Sequence, residues 1–548
     1  MKKSILLYIL LISLLSACTV SYPGFQQKAR SSAGMVSTGQ PLATLAGQQM
    51  LAKGGNAVDA AVASAFALSV VEPSMSGLGG RLQAIIRLPN GEIHGIDATT
   101  EAPIRYDTAT TPIVRYGYEV IGIPGVVAGL CKLHEEHGTL PLEVVMEPAI
   151  QYAKKGFKIL KGEAARHLMA YEQLKEYEGS RRYFLKKGKT YKTGEKWVQK
   201  DLANTLELIA RDGKDAFYKG EIARKIVSDF QANGGILTLE DLANYQAKSS
   251  RILSGNYRGH DLHGLWMPSF GAITIEIMHI LENLPMAELE EANWISAMGQ
   301  AINLAYQDRQ KQRLTNVDSV VNVLTSKEYA RKLSEQIRFT GADMGFQESK
   351  VPMHPYPQSW QEEMGHTTHL SVADKNNMMV ALTQSLGPNM GSKVATPGLG
   401  FLYAVTLGRY LRVFEPGQRA ASHISPFIIT KDGQPFLVLG AAGGSRIITA
   451  ITAVSSRIID KKLSIDQALA TPRVYYDGAD FFVETHEGTK WQTSYTKALE
   501  EQGFTVKELD TPARFGRIHA VLYDVINKQW IGAADPDWEG VVAGEEKE

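Results

Sequence analysis

Hydrophobic positions in the first part of the chain follow a helical spacing that glycines interrupt. Over residues 41–53 apolar residues recur every three or four positions, and Gly54-Gly55 follows as a stop signal. Residues 57–71 are apolar on nearly all sides, which predicts a helix buried between layers rather than one at the surface. Glycines clustered within 77–80 then indicate a tight turn of the backbone.

The middle of the chain, from about residue 141 to 334, is predicted to be mostly helical because apolar residues keep this spacing. Residues 340–366 are polar, with several Pro and Met residues, and are expected to form an exposed loop. The individual helices are predicted over residues 143–155, 201–212, 220–233, 271–283 and 294–310.

Shorter apolar segments that suit β-strands follow this loop. Four of them form two hairpins, each around a polar turn. A helix is predicted over 445–459, directly after Gly443-Gly444. Strands flanked by helices on this scale indicate stacked α and β layers. The strands are predicted over 367–373, 378–383, 426–430, 435–440, 519–523 and 530–532.

Composition narrows the class of protein. The 548 residues are 44% hydrophobic and 21% charged, which is ordinary for a globular protein. Lys plus Arg and Asp plus Glu balance at 58 each, so no net charge points to a nucleic acid partner. The 13 His residues show no ligand spacing, so no metal and no cofactor is expected. Two cysteines are too few for a disulfide framework, and Cys131 is expected to be a small buried residue.

The first residues have the pattern of a targeting signal. Two lysines precede an apolar run at 5–15 that is too short to cross a bilayer, and Leu15-Ser16-Ala17-Cys18 follows. This order resembles a bacterial lipoprotein signal, so residues 1–18 are expected to end at a lipidated Cys18, before a linker over 19–33. The protein is then expected to be exported and membrane-anchored, on the periplasmic or cell-surface side. The alternative is an ordinary signal peptide that contains a cysteine.

One short segment carries the candidate chemistry. The sequence Thr367-Thr368-His369-Leu370-Ser371-Val372 follows His366, and it resembles the T-T-H-[FY]-S-V segment that begins the small subunit in the γ-glutamyltransferase family. Further matches to the family occur in order between about residues 34 and 540. They are KGGNAVDAAV at 53–62, IPGVVAG at 123–129, MEPAI at 146–150, GAAGGSRI at 440–447 and AADP at 533–536.

The resemblance implies an α+β fold, the four-layer αββα sandwich of N-terminal nucleophile hydrolases. It also implies self-cleavage between His366 and Thr367, which gives a heterodimer of a large subunit over 34–366 and a small catalytic subunit over 367–548. Thr367 would then attack a small-molecule or peptide-like amide, and water or an amine would release the acyl group. A threonine hydroxyl needs a base, and the freed α-amine, with a pKa of about 7.7–8, is suitable.

Other site residues are also implied by the resemblance. Gly443 and Gly444 correspond to the family's oxyanion hole, a role that backbone amides before a helix can fill. Ser385 corresponds to a threonine that hydrogen-bonds the nucleophile, and it retains the hydroxyl. Ser422 and His423 correspond to a pair of serines in the substrate site. His423 is expected to be a wall residue, and a role as catalytic base is left open.

The family's substrate clamp is not retained. An arginine that holds the substrate α-carboxylate is replaced by Thr99, an asparagine by Gly387, and an aspartate that pairs with the α-ammonium by Arg409. Arg409 reverses the sign of an interaction worth about 4 kcal/mol for unit charges ~4 Å apart at an effective dielectric of about 20. Arg81, Arg105 and Arg409 are alternative anion-binding residues, or they form only surface salt bridges.

The segment between Tyr410 and Ser422 is short, whereas many family members have a long lid there. An open cleft would admit a bulky substrate, and relatives of this type include cephalosporin acylases and enzymes that act on poly-γ-glutamate. The leading hypothesis is an exported amidohydrolase or acyltransferase of this family that cleaves a γ-glutamyl-like or related amide. Two alternatives remain open: a conventional glutathione-hydrolysing γ-glutamyltransferase, and a catalytically weak binding lipoprotein with the same fold.

Overall fold

Two seven-stranded β-sheets stack face to face in the computed structural model, and helices cover both outer faces. This is the four-layer αββα sandwich that the sequence motifs implied. The predicted signal with Cys18, and the predicted loop except for its last residue, lie outside the described part of the chain. The structure describes residues 26–112, 114–311, 317–339, 366–485, 490–510 and 515–544.

The strands, numbered in chain order, lie side by side in an order that differs from that of the chain. The first sheet contains β21 (Val541–Gly544), β2 (Gly34–Thr38), β12 (His366–Asp374), β13 (Met379–Gly387), β3 (Arg81–Arg87), β4 (Ile93–Ala98) and β9 (Lys248–Ser249). The second contains β1 (Lys28–Ser31), β20 (Gln529–Ala534), β19 (Arg517–Asp524), β15 (Gln434–Ala442), β14 (Phe427–Lys431), β11 (His260–Leu265) and β10 (Ile252–Tyr257). A smaller three-stranded sheet contains β16 (Val474–Tyr476), β17 (Asp480–Glu484) and β18 (Thr505–Leu509). In two-stranded sheets, β5 (Phe157–Lys158) pairs with β8 (Lys196–Trp197), and β6 (Leu185–Lys186) pairs with β7 (Lys189–Thr190).

The helices form the two outer layers. Those before residue 250 cover the first sheet, and most of the later ones cover the second. They are α1 (Pro41–Ala52), α2 (Ala57–Val71), α3 (Val126–His137), α4 (Leu142–Lys155), α5 (Lys161–Met169), α6 (Tyr171–Leu174), α7 (Glu178–Phe184), α8 (Lys200–Asp212), α9 (Lys214–Tyr218), α10 (Glu221–Ala232), α11 (Leu239–Asn244), α12 (Gly271–Glu282), α13 (Glu291–Lys311), α14 (Val317–Leu324), α15 (Lys327–Ser334), α16 (Arg446–Ile459), α17 (Ile465–Leu469) and α18 (Thr493–Glu501).

Helix α2 confirms the prediction of a helix buried on all sides. Every residue from Ala57 to Val71 is buried, and the helix has the predicted bounds. It begins there because the Asn56 side chain accepts hydrogen bonds from the first amides, while Asp59 binds back to the Asn56 amide. A helix without a polar face fits only between a sheet and an outer helix layer, which is where α2 lies.

The sequence pattern missed several strands. Strand β3 is buried on both faces, so it lacks the alternation of polar and apolar residues that marks a half-exposed strand. Strands β10 and β11 lie within the region predicted to be mostly helical. A two-residue turn at Arg258-Gly259 joins them, with φ values of 49° and 77°. Turns of this kind usually contain Asn-Gly or Asp-Gly, and an arginine at the first position did not signal one.

The two sheets approach each other closely where His369 of β12 meets Gly440 of β15. A β-carbon added to Gly440 would overlap with the His369 ring. The ring is held in place by the hydroxyls of Thr383 at 2.8 Å and Ser371 at 3.0 Å. Ser371 in turn donates to the backbone oxygen of His519 in the second sheet at 2.8 Å. Only glycine at position 440 allows this spacing of the sheets.

We therefore expect Gly440→Ala to destabilise the protein by about 1–3 kcal/mol, because the new methyl group forces His369 or the sheets apart. The measurement is the midpoint of urea unfolding. Gly77→Ala is the matched control, because its new β-carbon would meet its nearest neighbour at 3.8 Å, an ordinary contact distance. A Gly440→Ala protein as stable as this control would contradict the account.

Candidate active site

Thr367 lies near the start of β12 with a side chain that is only 5% exposed. Its hydroxyl oxygen is 3.0 Å from the hydroxyl oxygen of Ser385 on the neighbouring strand β13. The ladder is irregular here, since the pairs His366–Gly387 and Thr368–Gln384 leave two residues of β13 opposite Thr367 alone. Such an irregularity can re-aim a side chain, and here it accompanies the contact between Thr367 and Ser385.

Ser385 connects the hydroxyl of Thr367 with the carbonyl group just before it. Its hydroxyl donates to the backbone oxygen of His366 at 3.0 Å and accepts from the amide of Gly387 at 2.9 Å. Because a serine hydroxyl has one proton, the remaining bond must be donated by Thr367 to Ser385. Ser385 is therefore placed to polarise the carbonyl and to accept the proton of a hydroxyl that attacks it.

Gly443 and Gly444 lie between the end of β15 and the start of α16. Gly444 has a φ of 59°, a conformation that side chains disfavour. A β-carbon on Gly443 would lie 2.7 Å from the α-carbon of Gly516, so this position has no room for a side chain. Backbone amides that precede a helix have no partner within it, and they suit a developing negative charge.

The stacking of the sheets brings these glycines to the same end of the sandwich as Thr367. His369 faces Gly440, and the two strands run in opposite directions, because β12 runs alongside β19, which is antiparallel to β15. Moving from His369 back to Thr367 therefore corresponds to moving from Gly440 forward to Gly443. The structure thus brings the candidate nucleophile and the candidate oxyanion site together.

Buried charges lie next to this end of β12. Burial raises the pKa of Glu72 to about 7, although Arg166 and Arg517 and a hydrogen bond from Thr368 act in the opposite direction. The nearer arginine, Arg166, forms ion pairs with Glu72 at 3.4 Å and with Glu163 at 2.9 Å. No sequence motif singled out Glu72 or Arg166, because their proximity to Thr368 depends on the packing of separate segments.

Comparison with known proteins agrees with this geometry. Residues 43–545 match the family model described as Gamma-glutamyltranspeptidase. The chain belongs to the γ-glutamyltranspeptidase family. Over 508 residues it is 35% identical to the glutathione hydrolase proenzyme of Escherichia coli (strain K12), covering 86% of both chains. Over 485 residues it is 31% identical to the acylase ACY 1 proenzyme of Pseudomonas sp. (strain SE83), covering 83% of this chain and 84% of the relative.

A solved structure supports the same assignment. The crystal structure of the cephalosporin acylase from Bacillus halodurans matches with a TM-score of 0.85 at 27% identity, covering 97% of this chain and 100% of that one. As a member of the γ-glutamyltranspeptidase family, the chain is an enzyme of the hydrolase and acyltransferase type. It has the N-terminal nucleophile hydrolase fold, and both of these sequence relatives are named proenzymes.

Thr99, which stands where the γ-glutamyltranspeptidase motif has an arginine, is fully buried. Its amide and hydroxyl both donate to Asp97, at 3.0 and 2.8 Å. Arg419 is the cation of this region, and it pairs with Asp97 and Glu101 at 3.1 Å each. Sequence reasoning missed Arg419, because it lies far along the chain and outside any motif. These two carboxylates already have a cationic partner without any substrate.

Gly387 lies beside Ser385, in a conformation with a φ of 94°. A β-carbon there would lie 2.9 Å from the Tyr410 ring and 3.2 Å from Nη2 of Arg81. Arg81 is itself buried and pairs with Ser385 across β3 and β13. An asparagine would have no room here. Arg81 occupies part of the space that the asparagine of the γ-glutamyltranspeptidase motif would need, which explains the glycine at position 387.

The arginines predicted as alternative anion-binding residues differ in their distance from the site. Arg81 donates from Nη1 to the backbone oxygen of Val405 at 3.1 Å, and its Nη2 lies 3.5 Å from the Ser385 hydroxyl. Arg105 and Arg409 have exposed side chains. Arg81 thus contacts the group that in turn contacts Thr367.

Ser422 and His423 lie beside the start of α12, where Ser422 donates its amide to the backbone oxygen of Pro268. Ser422 is buried, and the His423 ring packs 4.6 Å from Phe270 and 6.2 Å from Tyr306 between ring centres. Tyr306 donates its hydroxyl proton to the backbone oxygen of Ser445, the residue after Gly444. His423 therefore packs in an aromatic cluster beside Ser445, and its two roles left open by the sequence, wall residue and catalytic base, stay predictions.

Proposed function

We propose that this member of the γ-glutamyltranspeptidase family cleaves itself between His366 and Thr367 and then acts as an N-terminal threonine amidohydrolase or acyltransferase. The observation that carries the proposal is the position of one hydroxyl. Ser385 contacts both the hydroxyl of Thr367 and the carbonyl oxygen of His366, each at 3.0 Å. A nucleophile, a proton acceptor and a polarised carbonyl thus lie together in the uncut chain.

Self-cleavage follows from this arrangement. The Thr367 hydroxyl oxygen attacks the carbonyl carbon of His366 and passes its proton to Ser385, while the Ser385 proton moves towards the carbonyl oxygen. The C–N bond then breaks as the Thr367 nitrogen takes up a proton, and an ester joins His366 to the Thr367 side chain. Water hydrolyses this ester. The products are a carboxylate on His366 and a free α-amine on Thr367.

The new α-amine supplies the base that the hydroxyl needs during turnover. Its pKa of about 7.7–8 allows it to accept the Thr367 proton near neutral pH. The hydroxyl oxygen then attacks the amide carbon of a substrate, and the amides of Gly443 and Gly444 stabilise the oxyanion. The amine of the substrate leaves with the proton, and water or an acceptor amine releases the acyl group from Thr367.

We further propose that the substrate lacks the free α-amino acid head of a γ-glutamyl group. Thr99 carries no charge and is bonded to Asp97, and the side chain of Arg409 is exposed and of the wrong sign for an ammonium group. The similarity to an acylase proenzyme supports an acyl substrate of another kind. The second candidate is a conventional γ-glutamyltransferase, which the 35% identity to a glutathione hydrolase proenzyme favours.

We also propose that the protein is exported and lipid-anchored through Cys18. The support is the sequence of the first residues alone. Among the helices of the described ranges, none is long and apolar enough to cross a membrane. Expression of the wild type and of Cys18→Ala, followed by separation of membranes, tests this proposal. We expect the variant to leave the membrane fraction, and a variant that stays there would refute the anchor.

The proposal that Thr367 is the nucleophile predicts where the chain is cleaved and which variants stay uncut. We expect the wild type to give two fragments, the smaller of which begins at Thr367, and Thr367→Ala to stay intact. Ser385→Ala should slow cleavage by on the order of 10²-fold, because it removes a donor to the carbonyl oxygen. Ser385→Thr, which keeps the hydroxyl, is the control and should cleave. Intact-mass measurements over time report all four proteins. An uncut wild-type chain would favour the binding lipoprotein instead.

The replacement of the substrate clamp at Thr99, Gly387 and Arg409 predicts which of two anilide substrates the enzyme cleaves faster. Glutaryl-p-nitroanilide and γ-glutamyl-p-nitroanilide differ only in the α-ammonium group, so their kcat/KM ratio measures recognition of that group. We expect the glutaryl compound to be preferred about tenfold or more, since Thr99 and Arg409 offer the ammonium no charge-assisted hydrogen bond and Arg419 already pairs with Asp97 and Glu101. A preference for the γ-glutamyl compound would instead support the conventional γ-glutamyltransferase.

A further inference from the structure

A buried arginine contacts the serine that bonds to Thr367. Arg81 is the first residue of β3, it is 3% exposed, and it is paired with Ser385 of β13 in the sheet. Because a guanidinium group keeps its proton in proteins, a permanent positive charge lies inside the sandwich at this position. Burial of this charge costs free energy, which neighbouring groups must offset.

The guanidinium group of Arg81 has contacts at both of its terminal nitrogens. Nη1 donates to the backbone oxygen of Val405 at 3.1 Å, and Nη2 lies 3.5 Å from the Ser385 hydroxyl oxygen. Nη2 also lies close to the backbone of Gly387, where a β-carbon would be 3.2 Å from it. These contacts hold the positive charge next to the Ser385 hydroxyl.

The hydrogen bonds of Ser385 decide what this charge can do. The serine oxygen accepts from the Gly387 amide at 2.9 Å and from the Thr367 hydroxyl at 3.0 Å. Its single proton is donated to the backbone oxygen of His366 at 3.0 Å. The Ser385 hydroxyl thus contacts a cation, the candidate nucleophile and the carbonyl group that the nucleophile attacks in the proposed self-cleavage.

In that proposed reaction, on which this inference rests, Ser385 relays a proton. It takes up the proton of the Thr367 hydroxyl and passes its own proton to the carbonyl oxygen of His366, so it gains no net charge. As its own proton moves towards the carbonyl oxygen, negative charge develops on the serine oxygen. A serine hydroxyl by itself resists this change, whereas an adjacent positive charge favours the ionised form of a group, most strongly where water is excluded.

We infer that Arg81 is a positioning residue for self-cleavage and that it acts through Ser385. Its charge makes the Ser385 hydroxyl a stronger proton donor to the carbonyl oxygen of His366, and the serine then recovers a proton from Thr367. The carbonyl carbon thereby becomes more open to attack by the Thr367 oxygen. Thr367 and His366 remain the residues between which bonds form and break.

The same strand contains a matched arginine at its other end. Arg87 is the last residue of β3 and is 4% exposed. Its guanidinium group donates to the backbone oxygens of Leu88, Asn377 and Gly433, at 3.3, 3.0 and 2.8 Å. At ~3.3 Å per residue, the strand separates it from Arg81 by about 20 Å. Replacing Arg87 therefore removes a buried cation from β3 and leaves the cation beside Ser385 in place.

The test measures the rate of self-cleavage in newly synthesised chains. Protein made by cell-free translation is sampled over time, and cut and uncut chains are separated by electrophoresis. We expect Arg81→Met to cleave about 10- to 100-fold more slowly than the wild type, the contribution of a contact with a charged group. Arg81→Lys, which keeps the charge, should cleave faster than Arg81→Met. The matched control, Arg87→Met, should cleave at the wild-type rate.

A double-mutant cycle separates a role through Ser385 from a purely structural role. In Ser385→Ala the hydroxyl that the cation assists is absent, so the further change Arg81→Met should slow the remaining cleavage by less than about threefold. If Arg81 only supported the fold, Arg81→Met would slow cleavage by the same factor with and without the Ser385 hydroxyl. The urea midpoint of each variant, measured in an uncut Thr367→Ala chain, reports its folding.

The wild type separates a failure of the proposed function from a failure of this inference. A wild-type chain that stays uncut would refute self-cleavage itself. With a wild type that cleaves, the role of Arg81 would be overturned by Arg81→Met at the wild-type rate, by Arg81→Lys no faster than Arg81→Met, or by equal slowing in both arms of the cycle. If Arg81→Met does not fold, Arg81→Gln, which is polar and uncharged, replaces it in every comparison.

Discussion

The close approach of the two sheets at His369 and Gly440 is the constraint on which the site depends. Thr367 lies in β12 of the first sheet, whereas Gly443 directly follows β15 of the second, and no strand pairing joins the two strands. The glycine allows the His369 ring to fill the gap, and hydrogen bonds to Thr383 and Ser371 fix that ring. The packed sheets therefore hold the hydroxyl of Thr367 at the same end of the sandwich as the backbone amides of Gly443 and Gly444.

In the proposed mechanism, the same geometry serves two reactions in succession. Before cleavage, Ser385 polarises the carbonyl of His366, and the His366 side chain occupies the buried pocket beside Met75. After the proposed cleavage, the α-amine of Thr367 becomes the base, and the Thr367 hydroxyl takes up an external acyl group.

Local patterns predicted much of the fold but little of the substrate site. The helix at 57–71 and the hairpin of β12 and β13 followed from spacing within single segments, and the family motif implied Thr367, Ser385 and the two glycines. Strand β3 was missed because it is buried on both faces. Arg419 lies in no motif, and its pairing with Asp97 and Glu101 depends on the packing of distant segments, so only the folded structure could place it there.

The central claim is that Thr367 carries the acyl group, and direct detection of the acyl-enzyme tests it. The mature enzyme is mixed with excess glutaryl-p-nitroanilide, quenched in acid and digested, and the peptides are analysed by mass spectrometry. We expect an added glutaryl mass on the peptide that begins at Thr367, attached to that residue. A glutaryl group attached to any other residue of an active enzyme, with Thr367 unmodified, would contradict the account.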